Sequence, residues 1–134
     1  MSRQAAIEHL LDHYEHPRNR GALAAPDATA IGGAPDCSDS VTVYLQLSGD
    51  GKRVARMTFE GEGCTISQAA ASILSEAVIG MSLIDLAALD PNVWIDTLGR
   101  AAVETRQRCA VLPLRALKHA VAMLQQTRAA AIDR

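Results

Sequence analysis

Apolar residues first recur with a helical period. Ile7, Leu10, Leu11 and Tyr14 fall at i, i+3, i+4 and i+7, the single stripe of an N-terminal amphipathic helix. Pro17 and Gly21 end it, and "APDATAIGGAPD" reads as a loop with room for a short edge strand. The period then drops to two. In "VTVYLQL", Val41, Val43, Leu45 and Leu47 face one way and Thr42, Tyr44 and Gln46 the other. "SGDGK" supplies a hairpin turn, and "RVARMTFEG" is the partner strand, with Ala55, Met57 and Phe59 expected on its inner face. From Ile66 the helical period returns: Ile66, Ala69, Ala70, Ile73, Leu74, Ala77 and Val78 make a broad apolar face closed by Gly80.

Thr65 and Gln68 have capping-box spacing, so this helix should start immediately after Cys64. Ser82 to Leu89 makes a short helix, and Asp90-Pro91 is an N-cap followed by a first-turn proline. The last helix carries Leu114, Leu117, Val121 and Leu124 on one stripe. Pro113 must sit in its first turn or at a kink, which leaves Cys109 at or just before the helix start. Helix, strands, then helices is an α+β order: a small antiparallel sheet packed on one side by several helices. No linker or repeat divides residues 1–134, which are expected to form one domain.

Composition narrows the function. The 134 residues are 49% hydrophobic and 21% charged, enough for one sizeable core, and with 3% aromatics that core must be aliphatic. A formal net charge of -2 argues against nucleic acid as the main partner. No apolar run approaches the ~20 residues that span a bilayer, and "MSRQAAIEHLLDHYEHP" has no signal-peptide core. A cytoplasmic location without membrane contact is the expectation.

Three cysteines cannot all pair with one another, and in a reducing compartment they are thiols. Each falls at an element end: Cys37 before a strand in the turn-rich "APDCSDSV", Cys64 in "GEGC" before a helix, Cys109 near another helix start. A helix N-terminus favours the thiolate, the form that binds soft metals and attacks sulfur. With no C-x-x-C knuckle, spacing alone leaves both a metal or reactive-thiol site and three unrelated buried cysteines open. Cys109, followed by Ala110, Val111 and Leu112, suits a core position as well as a site. A cysteine hydrolase is disfavoured because no histidine neighbours any of the three in sequence. His9 and His13 share a helix face but lack an H-E-x-x-H arrangement, and solvent-facing histidines are expected there. His119 is expected on the surface and Trp94 as a packing residue.

The segments "DHYEHPRNRGAL", "GGAPDCSD", "FEGEGCTISQAAASIL" and "RQRCAVLPLRAL" resemble, in order and context, the IscU/SufU/NifU-type iron–sulfur cluster assembly scaffolds, from about Tyr14 to Leu124. The resemblance implies an IscU/SufU-like fold in which Cys37, Cys64 and Cys109 converge on one exposed site with Asp39 beside them. It implies a scaffold that receives persulfide sulfur from a cysteine desulfurase; Cys109 is the expected acceptor because the neighbouring Arg108 cation favours its thiolate. A labile 2Fe–2S cluster would be built on the three cysteines and Asp39, then passed to acceptor or carrier proteins. The alternative it implies is a SufU-like sulfurtransferase that holds zinc on the same four residues and stimulates its desulfurase. Many IscU-type members have histidine directly before the third cysteine; here it is Arg108, as in the SufU branch. SufU-type chains usually carry an insertion between the second and third cysteines, and Cys64 to Cys109 leaves no obvious room for one.

Overall fold

The computed structural model describes residues 2–34 and 39–132. Its elements run α1 (Arg3–Glu15), β1 (Ala28–Ala34), β2 (Asp39–Leu47), β3 (Val54–Glu62), α2 (Thr65–Ala77), α3 (Leu83–Ala87), α4 (Pro91–Leu98), α5 (Arg100–Val103) and α6 (Gln107–Ile132). The strands form one antiparallel sheet in the order β1-β2-β3. Val41, Val43 and Leu45 of β2, with Met57 and Phe59 of β3, are fully buried on its inner face. α2 and α6 cover that face and pack against each other, while α1 packs on α2. This is the expected α+β architecture.

β1 is a full seven-residue strand rather than a loop with a short edge piece. Its two glycines hid its extent: Gly32 has no side chain to show a period. The small residue is nevertheless what the packing needs, because a Cβ at Gly32 would lie 3.1 Å from Ala116 Cβ and 3.3 Å from the Leu112 carbonyl. Helix α6 therefore crosses β1 at van der Waals contact. In β3 the buried residue near the turn is Val54, not Ala55, because an irregularity between Gln46 and Leu47 shifts the register. The α1 stripe is also rotated from its expected position. Ala6, Leu10 and His13 are buried, whereas Leu11 and Tyr14 are 43% and 44% exposed.

That rotation follows from a polar network that periodicity does not register. The α2 face toward α1 buries Ser72 and Ser75. The Ser72 hydroxyl lies 2.7 Å from His13 Nδ1 and accepts the Arg18 backbone N–H at 2.8 Å. Ser75 Oγ accepts from Asn19 Nδ2 at 3.1 Å. The turn after α1 is thereby fixed against β3, where Phe59 N–H donates to the Asn19 carbonyl and Gly21 N–H to the Phe59 carbonyl. His13 is buried, contrary to the solvent-facing expectation, because a neutral imidazole with a hydroxyl partner is tolerated inside. His9 and His119 are exposed as expected.

Among the described residues no helix is long and apolar enough to cross a membrane. At the β2–β3 turn, Arg128 Nη2 of α6 donates to the Gly51 carbonyl at 2.6 Å. This contact fixes the direction of α6: its C-terminal part lies at the turn end of the sheet and its start at the opposite end. α2 runs the same way, since the chain beyond it returns to β3 with Gly80 N–H donating to the Val54 carbonyl.

Candidate thiol site at one end of the sheet

The end of the sheet remote from that turn collects the start of β2, the end of β3 and the first turns of α2 and α6. Asp39 is the first residue of β2 and pairs with Ala34. Directly beside it, Ser40 pairs with Glu62 and Val41 with Gly61. Gly61 is required there, because a Cβ would collide with the Ser40 carbonyl and touch Gln68 Nε2. Two residues beyond Gly61, Gly63 adopts φ +137° and delivers the chain to Cys64.

Cys64 is the N-cap of α2, half-buried, with extended backbone. Helix α2 starts at Thr65 as the sequence predicts, but by a different mechanism. Gln68 does not close a capping box; both of its side-chain amide atoms are buried without a partner among the described residues. The buried Ser67 hydroxyl instead donates to the Cys64 carbonyl at 3.0 Å and lies 3.9 Å from Cys64 Sγ.

Cys109 is the third residue of α6, within its first turn, and is 2% exposed. It lies one turn before Leu112, which crosses Gly32, so its level along the sheet is that of Ala34 and Asp39. Trp94, packed as expected, holds this turn: its indole N–H donates to the Ala110 carbonyl at 3.1 Å. Pro113 is interior to the helix, not in its first turn, and cannot donate to the Cys109 carbonyl four residues back. Arg108 is exposed.

The structure thus brings Asp39, Cys64 and Cys109 to one end of the sheet, at the N-terminal turns of two helices that run in the same direction. Both helix dipoles point partial positive charge toward that end. Cys37 lies outside the described residues, two positions before Asp39 along the chain. Among the described residues no group of three or more histidine, cysteine, aspartate or glutamate side chains is close enough to hold a metal ion. Of the two cysteines described, only Cys64 reaches solvent to an appreciable degree. This end of the sheet is therefore open at Cys64, while Cys109 is covered.

Beside Cys64 is a cleft of about 260 Å³. Tyr14, Pro17 and Phe59 form its apolar walls, and Gly61, Gly63 and Gln68 its edge toward α2. Arg20 and Glu62 also line it, and both border a second, larger and more open depression over Ser40 and Thr42. None of Arg20, Glu62, Ser67 and Gln68 stands out as a site residue in the sequence. Only the turn that lays Arg20 alongside β3 makes them neighbours.

Residues 6–131 match the family model of the NifU-like N-terminal domain. The chain belongs to that family. It is 32% identical over 130 residues to the zinc-dependent sulfurtransferase SufU of Bacillus subtilis, covering 84% of this chain and 86% of the relative. It is 31% identical over 121 residues to the iron–sulfur cluster assembly scaffold protein IscU of Haemophilus influenzae, covering 88% and 94%. Among solved structures, the N-terminal part of a nitrogen-fixing NifU-like protein from Brucella abortus matches with a TM-score of 0.74 at 24% identity, covering 93% of this chain and 99% of that one. The last likeness establishes the fold alone.

Proposed function

We propose that this NifU-like domain is an iron–sulfur cluster assembly scaffold whose cargo is held by Cys37, Asp39, Cys64 and Cys109. What supports the reading is the location of Asp39, Cys64 and Cys109 at the same end of the sheet, the two cysteines at helix N-termini, in a chain of this family. Three thiolates and one carboxylate suit the donor preferences of tetrahedral zinc and of the two irons of a small cluster. Helix N-termini stabilise the anionic donors that such a set requires.

Sulfur arrives in this proposal as the outer atom of a persulfide on a cysteine desulfurase. A cysteine thiolate of the scaffold, Cys109 by the sequence expectation, attacks that outer sulfur. The new S–S bond forms as the old one breaks, and the electron pair leaves on the desulfurase thiolate. Cys109 is covered, so its turn of α6 must open for this step, whereas Cys64 is reached directly. Asp39 is the hard oxygen among soft sulfurs and makes one corner of the assembled cargo easy to surrender to an acceptor protein.

The sulfurtransferase reading is favoured by the 32% identity to the zinc-dependent SufU and by Arg108 before the third cysteine. There the same four residues keep zinc, and no cluster is built. One experiment separates the two. Protein made in cells is assayed for metal, then incubated anaerobically with iron, cysteine and a desulfurase. Iron uptake with visible sulfur-to-iron charge-transfer absorption, transferable to an acceptor, is expected. Asp39→Ala is expected to alter the rate of that transfer. Retained zinc, stimulated desulfurase turnover and no colour would select the sulfurtransferase.

A further inference from the structure

We propose that the cleft beside Cys64 is a binding site for a small α-amino acid. Gln68 lines it, 9% exposed, and among the described residues neither its amide oxygen nor its amide nitrogen is hydrogen-bonded. A buried polar atom left without a partner is costly, so this side chain stands to gain from a ligand. The ligand must offer a donor and an acceptor close together, because one amide presents both kinds of atom.

The charges define it further. Arg20 and Glu62 line the same cleft with opposite sign, and among the described residues neither makes an ion pair. A carboxylate suits the guanidinium of Arg20, an ammonium suits Glu62, and an α-amino acid carries both on one carbon. An internal peptide unit would satisfy Gln68 but leave both charges unanswered. The volume sets the size. At about 260 Å³ the cleft is below the ~300–1,000 Å³ of sites for drug-sized ligands. Tyr14, Pro17 and Phe59 provide apolar surface for a short side chain.

The test uses the full chain, reduced and metal-free, with L-serine as a redox-inert stand-in for cysteine. Acetate and methylamine serve as half-ligands. Nuclear magnetic resonance titration with L-serine is expected to give saturable shifts at the Gly61, Gly63 and Gln68 amides, with neither half-ligand matching its affinity. Gln68→Leu is expected to weaken binding about tenfold by removing two hydrogen bonds. Arg20→Gln and Glu62→Gln, both exposed and safe for folding, are expected to weaken it severalfold each. Acetate binding as well as L-serine would reduce the cleft to an anion site and overturn the proposal. So would the absence of saturable shifts, which would leave Gln68 bridged by water alone, or wild-type affinity in both charge variants. Neither metal nor desulfurase enters the measurement, so its failure leaves the scaffold function standing, and the converse holds.

Discussion

At the scale of single residues, burial separates Cys64 from Cys109 more sharply than sequence does. Cys64 is half-buried and Cys109 is 2% exposed. In metal-free protein, iodoacetamide should modify Cys64 well before Cys109, and the lag at Cys109 should shrink under mild urea that opens the first turn of α6. Mass spectrometry of timed aliquots gives the order directly.

His13 yields a second expectation. Burial is the largest influence on it and pushes its imidazole below the usual 6.5, with Arg18 and His9 adding repulsion and Glu76 and Asp12 partly opposing. The unfolded chain therefore takes up this proton first as the pH falls. Stability is complete above about 6.5, declines below it and levels off beneath the folded-state value. Urea midpoints at several pH values should show that slope, and His13→Gln should flatten it. Asp12 and Asp50 are held below 3.8, chiefly by hydrogen bonds from Arg18 and Ser48, so their contributions are lost only in stronger acid.

At the scale of elements, the start of α2 depends on how closely β3 lies on β2. Gly61→Ala places a methyl against the Ser40 carbonyl, and strands β2 and β3 must part there to admit it. A loss of about 1–3 kcal/mol is expected from such overpacking, read as a lowered denaturation midpoint. The affected segments carry Asp39 and Cys64, so metal affinity should fall as well.

Elements with a strong period were legible in sequence: β2, β3, the start of α2, and the Asp90-Pro91 start of α4. β1 was legible only as room for a short edge strand, because glycine carries no face to mark its extent; it proves to be an edge strand of seven residues. The short α5 was missed, since four residues hold too little of any period. The buried side of α1 was misassigned because hydroxyls on α2 attract a histidine where periodicity expects Leu11 and Tyr14. Of the site, the placement of Cys64 at a helix start could be read from spacing. That Asp39 and Cys109 lie at the same end of the sheet follows from a β-strand and helix pairing that no local pattern encodes.

At the scale of the molecule, a ligand that binds only the folded chain stabilises it by mass action. Zinc at a hundredfold excess over its dissociation constant should add about 2.7 kcal/mol. Calorimetry with and without zinc should show a raised melting temperature that a chelator reverses. Cys64→Ala and Cys109→Ala should each abolish most of the increment. An increment that survives both substitutions would place the metal elsewhere.

Helix α6 is anchored unevenly along its length. Arg128 clasps the Gly51 carbonyl at one extremity, Ala116 and Leu112 touch Gly32 near the middle, and Pro113 interrupts the ladder just before the segment that bears Cys109. Such a rod behaves as a lever with a fulcrum on β1. Its thiol-bearing tip is tethered by the Trp94 indole bond to the Ala110 carbonyl, and Trp94→Phe should make amide protons around residues 107–110 exchange with deuterium faster than in the unsubstituted chain.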